Sequence, residues 1–207
     1  MKTLLVIARL FSSIFRPVYY PTLGVFLLLS LSYLSLLPWG IKCWILAQVY
    51  FFTIVLPMLL VLLYRRYNRW DPHILRMRVN RSGPYLLHII CYYFCVYLLR
   101  YEQMPHCIVT IITVSLLLQI CCTFINLFWK VSMHSAGSGA VIGAVAAYAH
   151  LFGFNPIWWL CAALMLSGCV MTSRLILRQH TLAQVLLGML LGIACAYIGI
   201  TNFLYII

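Results

Sequence analysis

Residues 181–205 read TLAQVLLGMLLGIACAYIGITNFLY, a run that contains no charged side chain. A helix needs about 20 consecutive apolar residues to cross the hydrocarbon core of a bilayer, so this run predicts a spanning helix. Gly188 and Gly192 lie four positions apart within it, and Gly139 and Gly143 repeat that spacing earlier in the chain. Small residues at this spacing let two helices approach closely, so both pairs predict packing inside a helical bundle rather than dimer faces.

Six further apolar runs precede this one, separated by prolines and charged residues. They cover residues 20–39, 43–64, 84–100, 105–129, 134–153 and 156–172. The pattern predicts an all-α fold, a polytopic membrane helical bundle of six to seven transmembrane helices. We expect a single membrane domain over residues 1–207. Residues 1–19 place three cations among apolar side chains at helical spacing, which predicts an amphipathic interfacial segment.

The composition limits the classes of function. The chain is 65% hydrophobic and carries 14 Lys and Arg against two carboxylates, for a formal net charge of +12. Because most of the chain is lipid-soluble, its partners should be the membrane and a phosphorylated lipid, with no nucleic acid. Two carboxylates and scattered histidines cannot form a two-metal phosphatase site, so we expect neither a metal nor another cofactor. The nine cysteines are interpreted as small apolar residues rather than a disulfide framework.

The charges are distributed unequally between the two predicted membrane faces. Seven spans would place the N-terminus and the loops at 65–83, 130–133 and 173–180 on one face, with most of the Lys and Arg. The opposite face carries only Lys42 and Arg100. The positive-inside rule then places the crowded face in the cytoplasm. We expect an integral protein of the bacterial inner membrane.

Three polar clusters lie on that crowded face, at the ends of apolar runs. They are Arg76–Tyr85, Lys130–Gly137 and Ser173–Gln184. Polar groups at a membrane boundary are costly and indicate a functional site. A phosphoryl group needs cations around its oxygens, a nucleophile in line and an acid for the leaving oxygen. Arginines supply forked contacts, and His134 and His180 can divide the roles of nucleophile and acid.

The clusters resemble the signature of the type 2 phosphatidic acid phosphatase superfamily of membrane phosphatases. That signature runs Lys-x6-Arg-Pro, then Pro-Ser-Gly-His, then Ser-Arg-x5-His-x3-Asp. The third part here reads Ser173-Arg174, five residues, His180, three residues and Gln184, and the second reads Val131-Ser132-Met133-His134. The first part is blurred, with Arg76, six residues and Gly83-Pro84, and with Arg78 and Arg81 nearby. The resemblance covers residues 74–190, the expected catalytic core.

The resemblance implies a role for each matching position. His180 would be the nucleophile that forms a phosphohistidine, and His134 would protonate the leaving alkoxide. Phosphate oxygens would be held by a set of polar side chains: Arg76, Arg81 or Arg78, Lys130, Ser132 and Arg174. Gln184 replaces the family's Asp, and its amide oxygen, one helical turn beyond His180, is expected to accept the imidazole N–H without supplying a countercharge.

The leading hypothesis is therefore metal-independent hydrolysis of a lipid phosphate or polyprenyl diphosphate through a phosphohistidine. Two alternatives stay open. One is a non-catalytic lipid-phosphate binder or transporter with a degenerate phosphatase site, which the change at Gln184 favours. The other is a lipid phosphotransferase, because an alcohol can attack the same intermediate as water. The sequence leaves the oligomeric state open.

Overall fold

The structure, a computed structural model, describes residues 2–67 and 82–206. These residues are mostly helical and form no strand. The α-helices are α1 (Lys2–Ile14), α2 (Tyr20–Leu31), α3 (Trp39–Tyr50), α4 (Leu56–Tyr67), α5 (Ser82–Tyr101), α6 (His106–Phe128), α7 (Met133–Phe152), α8 (Ile157–Ile176) and α9 (Leu182–Ile206). Short 3₁₀ turns at Pro17–Tyr19 and Tyr33–Leu36 flank α2, and a π-helical segment at Phe51–Val55 joins α3 to α4.

Among the described residues, six helical stretches are long and apolar enough to cross a membrane. They are Leu5–Leu31, Trp39–Tyr67, His106–Phe128, Met133–Phe152, Ile157–Ile176 and Leu182–Asn202. The predicted run at 84–100 does form a helix, α5, although it is not one of these six. The predicted all-α polytopic fold of six to seven spans is confirmed.

The helices fall into two compact units. One comprises Pro21–Thr123, and the other combines Met1–Tyr20 with Phe124–Ile207. In the first unit, Thr53 on the π-helical segment is fully buried, and its hydroxyl donates to the Val49 carbonyl and pairs with Thr22. Pro57 lies just beyond this segment and has no N–H to give to the helix, which accounts for the widened turn before it.

The second unit is organised around the contact of α7 with α9. A Cβ atom added to Gly139 or Gly143 would collide with the backbone of Met189 or Ile193 on α9. From the other side, a Cβ added to Gly192 would meet the Ala136 carbonyl, so the two helices touch backbone to backbone. The predicted packing role of both glycine pairs is confirmed. Lipid supplies no hydrophobic drive between helices, so close van der Waals contact of this kind holds them together.

The N-terminal helix also belongs to this second unit. α1 packs against α8 and buries its small residues Ala8 and Ser12, while Ile7 and Leu10 on its outer side stay exposed. The 3₁₀ turn that follows α1 contacts α7. The interfacial position proposed for residues 1–19 stays a prediction, but α1 lies directly against a helix that carries one of the three polar clusters.

The α7–α9 contact can be tested by adding single methyl groups. Gly192→Ala should destabilise the protein by about 1–3 kcal/mol, because the new methyl group must push two backbones apart. Gly168→Ala on α8 is the matched control, since nothing lies within 4 Å of its added Cβ. That change should be neutral or stabilising by about 0.5–1 kcal/mol through helix propensity. Thermal unfolding in detergent measures both, and equal melting temperatures for the two variants would contradict the close contact.

Candidate active site

Helix direction brings the second and third polar clusters to one end of the second unit. The glycine contacts advance together along α7 and α9, from Gly139 against Met189 to Gly143 against Ile193, so the two helices are parallel. Helix α8, which lies between them in the sequence, runs in the opposite direction. The N-termini of α7 and α9 and the C-terminus of α8 therefore meet at the same end. Two positive helix ends side by side favour an anion there.

The second cluster is fixed at the start of α7. The Asn126 side chain accepts from the Val131 N–H at 3.0 Å, which holds the loop before the helix. Ser132 is the N-cap residue, fully buried, and its hydroxyl accepts from the Ser135 N–H at 3.4 Å. The Ser132 N–H donates to the Gln184 carbonyl at 3.4 Å, which links this loop to α9. These bonds fix the first turn of α7 and therefore the direction in which the side chain of His134 projects from it.

The imidazole of His134 lies among groups from three helices. It hydrogen-bonds to the backbone of Ser12 at the end of α1. It also lies within electrostatic range of Arg174 on α8, His180 before α9, and Arg16 just after α1. The two histidines of the predicted motifs and the motif arginine are thus neighbours. The arrangement brings two imidazoles and a guanidinium to the same end of the second unit.

The end of α8 positions Arg174 and the loop that follows. The Gln179 N–H donates to the Arg174 carbonyl at 3.2 Å, and the Arg178 N–H donates to the Leu175 carbonyl at 2.9 Å. This is a Schellman ending, with Arg178 in the left-handed position at a φ of 51°. The Lys130 ammonium donates to the Gln179 carbonyl at 2.7 Å, so it ties the second cluster to the third.

A capping box at the start of α9 orients His180. The Gln184 amide oxygen accepts from the Thr181 N–H at 3.2 Å, while the Gln184 N–H lies 3.5 Å from the Thr181 hydroxyl. The same amide oxygen lies 3.2 Å from Nδ1 of His180. Since an amide oxygen only accepts, Nδ1 must carry the hydrogen, which leaves Nε2 of His180 with its lone pair. The geometry expected for Gln184 from the sequence is present.

The predicted site residues therefore divide into two groups. One group lies together at one end of the second unit and consists of His134, His180, Gln184, Lys130, Ser132 and Arg174. Arg76, Arg78 and Arg81 lie outside the described residues. The hydroxyl of Ser132 is occupied as the cap of α7, and the roles of all these side chains in holding phosphate stay predictions. Within the described residues, no cluster of three His, Cys, Asp or Glu is spaced to hold a metal ion.

Three residues of this site were not predicted from the sequence. Thr181 caps α9, and the Thr-x-x-Gln spacing of Thr181 with Gln184 is a recognisable signal for it. Asn126, near the end of α6, holds the loop before α7. Its only signal in the sequence is that it is an isolated polar residue within an apolar run. Ser12 accepts a hydrogen bond from Nη1 of Arg174 at 2.6 Å, across 162 positions of sequence, and no local pattern indicates it.

Comparison with known proteins bears directly on this site. The family model described as the PAP2 superfamily matches residues 105–206. The C-terminal half of the chain belongs to the PAP2 superfamily. The match contains both histidines, Arg174 and Gln184, so the resemblance is confirmed for the second and third motifs, while the first motif lies outside the match. No curated protein and no solved structure matches the chain. Members of this superfamily are phosphatases, which supports a phosphatase-type function for an integral membrane protein.

Proposed function

We propose that this protein is a metal-independent membrane phosphatase that hydrolyses a lipid phosphate monoester or diphosphate through a phosphohistidine. The observation that carries the proposal is the hydrogen bond of Nδ1 of His180 to Gln184, with His134 and Arg174 beside it. That bond leaves Nε2 of His180 as the nucleophilic atom. Phosphatidate-like lipids, phosphatidylglycerol phosphate and polyprenyl diphosphates are the candidate substrates.

The first step transfers the phosphoryl group to the protein. Nε2 of His180 forms a bond to phosphorus while the bond from phosphorus to the lipid oxygen breaks, and the leaving oxygen takes a proton from His134. Arg174 and the two helix N-termini stabilise the charge on the phosphoryl oxygens. The Nδ1–H of His180 stays hydrogen-bonded to the amide oxygen of Gln184, which orients the ring. Because this oxygen is neutral, no carboxylate balances the positive charge of the intermediate at this position.

The second step regenerates the enzyme. His134, now neutral, takes a proton from water, and the water oxygen bonds to phosphorus as the bond to Nε2 of His180 breaks. Inorganic phosphate leaves, and His134 is again protonated. An alcohol in place of water would give phosphotransfer by the same sequence.

The position of the site favours a lipid over a soluble phosphate ester. His134 lies in the first turn of one candidate span, Met133–Phe152, and His180 lies two residues before another, Leu182–Asn202. Groups at the ends of spanning helices lie at the depth of the lipid headgroups. A phosphorylated lipid already in the bilayer would present its phosphate at that depth. The basic loops, through the positive-inside rule, support a site at the cytoplasmic face of a bacterial inner membrane.

His180→Ala should abolish turnover while the protein stays folded, because a methyl group cannot attack phosphorus. His150→Ala is the matched control, since His150 is an exposed histidine near the opposite end of α7 that bonds Tyr197. A loss of at least about a thousandfold is expected for the first variant alone, since each tenfold in rate corresponds to about 1.4 kcal/mol of barrier. Phosphate release from the three candidate lipids by purified protein measures this.

The proposed phosphohistidine can also be detected directly on the same protein variants. Acid-labile, base-stable phosphate should accumulate on the wild type and be absent from His180→Ala. If the wild type binds these lipids but releases no phosphate from any of them, the binder or transporter alternative replaces the phosphatase. If His180→Ala keeps full activity, the assignment of the nucleophile is wrong.

Turnover should survive a chelator. The chain has only two carboxylates, and one of them, Glu102, lies in the other compact unit, where its oxygen accepts from the Gln48 side chain at 3.0 Å. Hard divalent cations need several oxygen ligands, so a metal is not expected in the reaction. The rate is compared before and after EDTA treatment. A loss that a single divalent metal restores would contradict the metal-free mechanism.

Gln184→Glu should preserve or raise turnover, because a carboxylate keeps both the capping box and the bond to His180 and adds a countercharge. Gln184→Leu removes both bonds and should cost about 1 kcal/mol of stability together with a clear loss of rate. Steady-state kinetics and thermal unfolding are measured on both variants. A well-folded glutamate variant that is more than tenfold slower than the wild type would show that Gln184 does not orient the nucleophile.

A further inference from the structure

Ser12, at the end of α1, contacts two groups of the candidate site at once. Its hydroxyl accepts from Nη1 of Arg174 at 2.6 Å, and its backbone hydrogen-bonds to the imidazole of His134. Ser12 is only 9% exposed, and its hydrogen bond with Arg174 is partly buried. Hydrogen bonds to charged groups are stronger than those between neutral groups, above all where water is excluded.

The sequence of α1 explains how Ser12 reaches this position. Ala8 and Ser12 are one helical turn apart and form the small buried face that packs on α8. α1 ends at Ile14, and carbonyls in the last turn of a helix have no partner within it. The Ser12 carbonyl is therefore available to accept from the His134 ring.

The chain after α1 holds this contact in place. Pro17 and Tyr20 pack against Gly137, which lies one turn beyond His134 on α7. A Cβ on Gly137 would lie 2.5 Å from Cδ2 of the Tyr20 ring, so a larger residue there would displace the segment. Residues 8–20 thus contact both α8 and α7.

We propose that Ser12 is a positioning residue for phosphate binding and hydrolysis. Its hydroxyl accepts from Nη1 of Arg174 and so holds the planar guanidinium in one orientation for binding phosphate. Its carbonyl orients the ring of His134. Ser12 lies outside residues 105–206, so the N-terminal helix completes a site whose other described members lie in the superfamily match. The roles of Arg174 and His134 in this inference rest on the proposed function.

Three serine variants test the hydroxyl. Ser12→Ala should weaken the affinity for inorganic phosphate and lower kcat/KM on the lipid substrate, each about tenfold, because a hydrogen bond to a charged group is lost. Ser12→Thr retains a hydroxyl and should restore most of both. Ser13→Ala is the matched control, since the neighbouring serine is exposed, and it should leave both unchanged. Calorimetric titration with inorganic phosphate and lipid kinetics in detergent provide the readouts.

Two further readouts separate positioning from mere stability. The pH profile of kcat should be the same in Ser12→Ala as in the wild type, because alanine keeps the carbonyl that holds His134. In an Arg174→Lys background, Ser12→Ala should weaken phosphate binding by less than twofold, since the partner of the hydroxyl is already lost. A full tenfold loss in that background would overturn the proposal, as would equal affinities for Ser12→Ala and Ser13→Ala.

The outcomes also test the positioning role of Ser12 separately from the proposed phosphatase activity. If no lipid is hydrolysed but phosphate binding still depends on the Ser12 hydroxyl, positioning of Arg174 holds and the catalytic role fails. If lipids are hydrolysed and Ser12→Ala behaves as the wild type, the phosphatase stands and Ser12 has no part in it. A wild-type protein that binds no inorganic phosphate would overturn the proposal for Ser12.

Discussion

The backbone contact between α7 and α9 is the constraint on which the candidate site depends. Gly139, Gly143 and Gly192 let the two helices approach until carbonyls of one touch the backbone of the other. Because the helices are parallel, this approach also brings their positive ends together, an arrangement that is electrostatically unfavourable without a nearby anion. The same contact therefore holds the helices together in lipid and creates an end that favours an anion, as the proposed phosphate site requires.

Gln184 shows how one side chain serves both local structure and the proposed chemistry. Its amide oxygen lies 3.2 Å from the Thr181 N–H and 3.2 Å from Nδ1 of His180. A carboxylate would make the same two bonds and would also interact favourably with the positive end of α9. The amide therefore keeps the geometry and gives up only the countercharge. In the proposed mechanism, electrostatic stabilisation of the cationic intermediate would then come from other groups or be weaker, which would change the rate rather than the mechanism.

The sequence predicted the helices well because the thickness of a bilayer imposes one length on every span. Each predicted apolar run has a helix, and the glycine pairs make the close contacts that their spacing indicated. His134, His180 and Arg174 were recognisable because motif spacing places them at helix ends. Ser12 was not, since its bond to Arg174 joins positions 162 residues apart and a serine in a short amphipathic helix has no distinguishing neighbours. Long-range polar contacts depend on how helices pack, which hydropathy does not specify.

The antiparallel helix α8 raises the remaining electrostatic question. Its C-terminus, the negative end, lies beside the positive ends of α7 and α9 and would weaken their attraction for an anion. The cations at that end oppose this effect: Arg174 lies in the last turn of α8, and the Lys130 ammonium bonds the Gln179 carbonyl just beyond it. Since cations near a helix C-terminus offset its dipole, the potential at the shared end stays positive. Arg174 would thus have two functions in the proposed site. It would bind the phosphate beside His134, and its charge offsets the negative end of the α8 dipole. A fixed orientation of its guanidinium matters for the first of these functions.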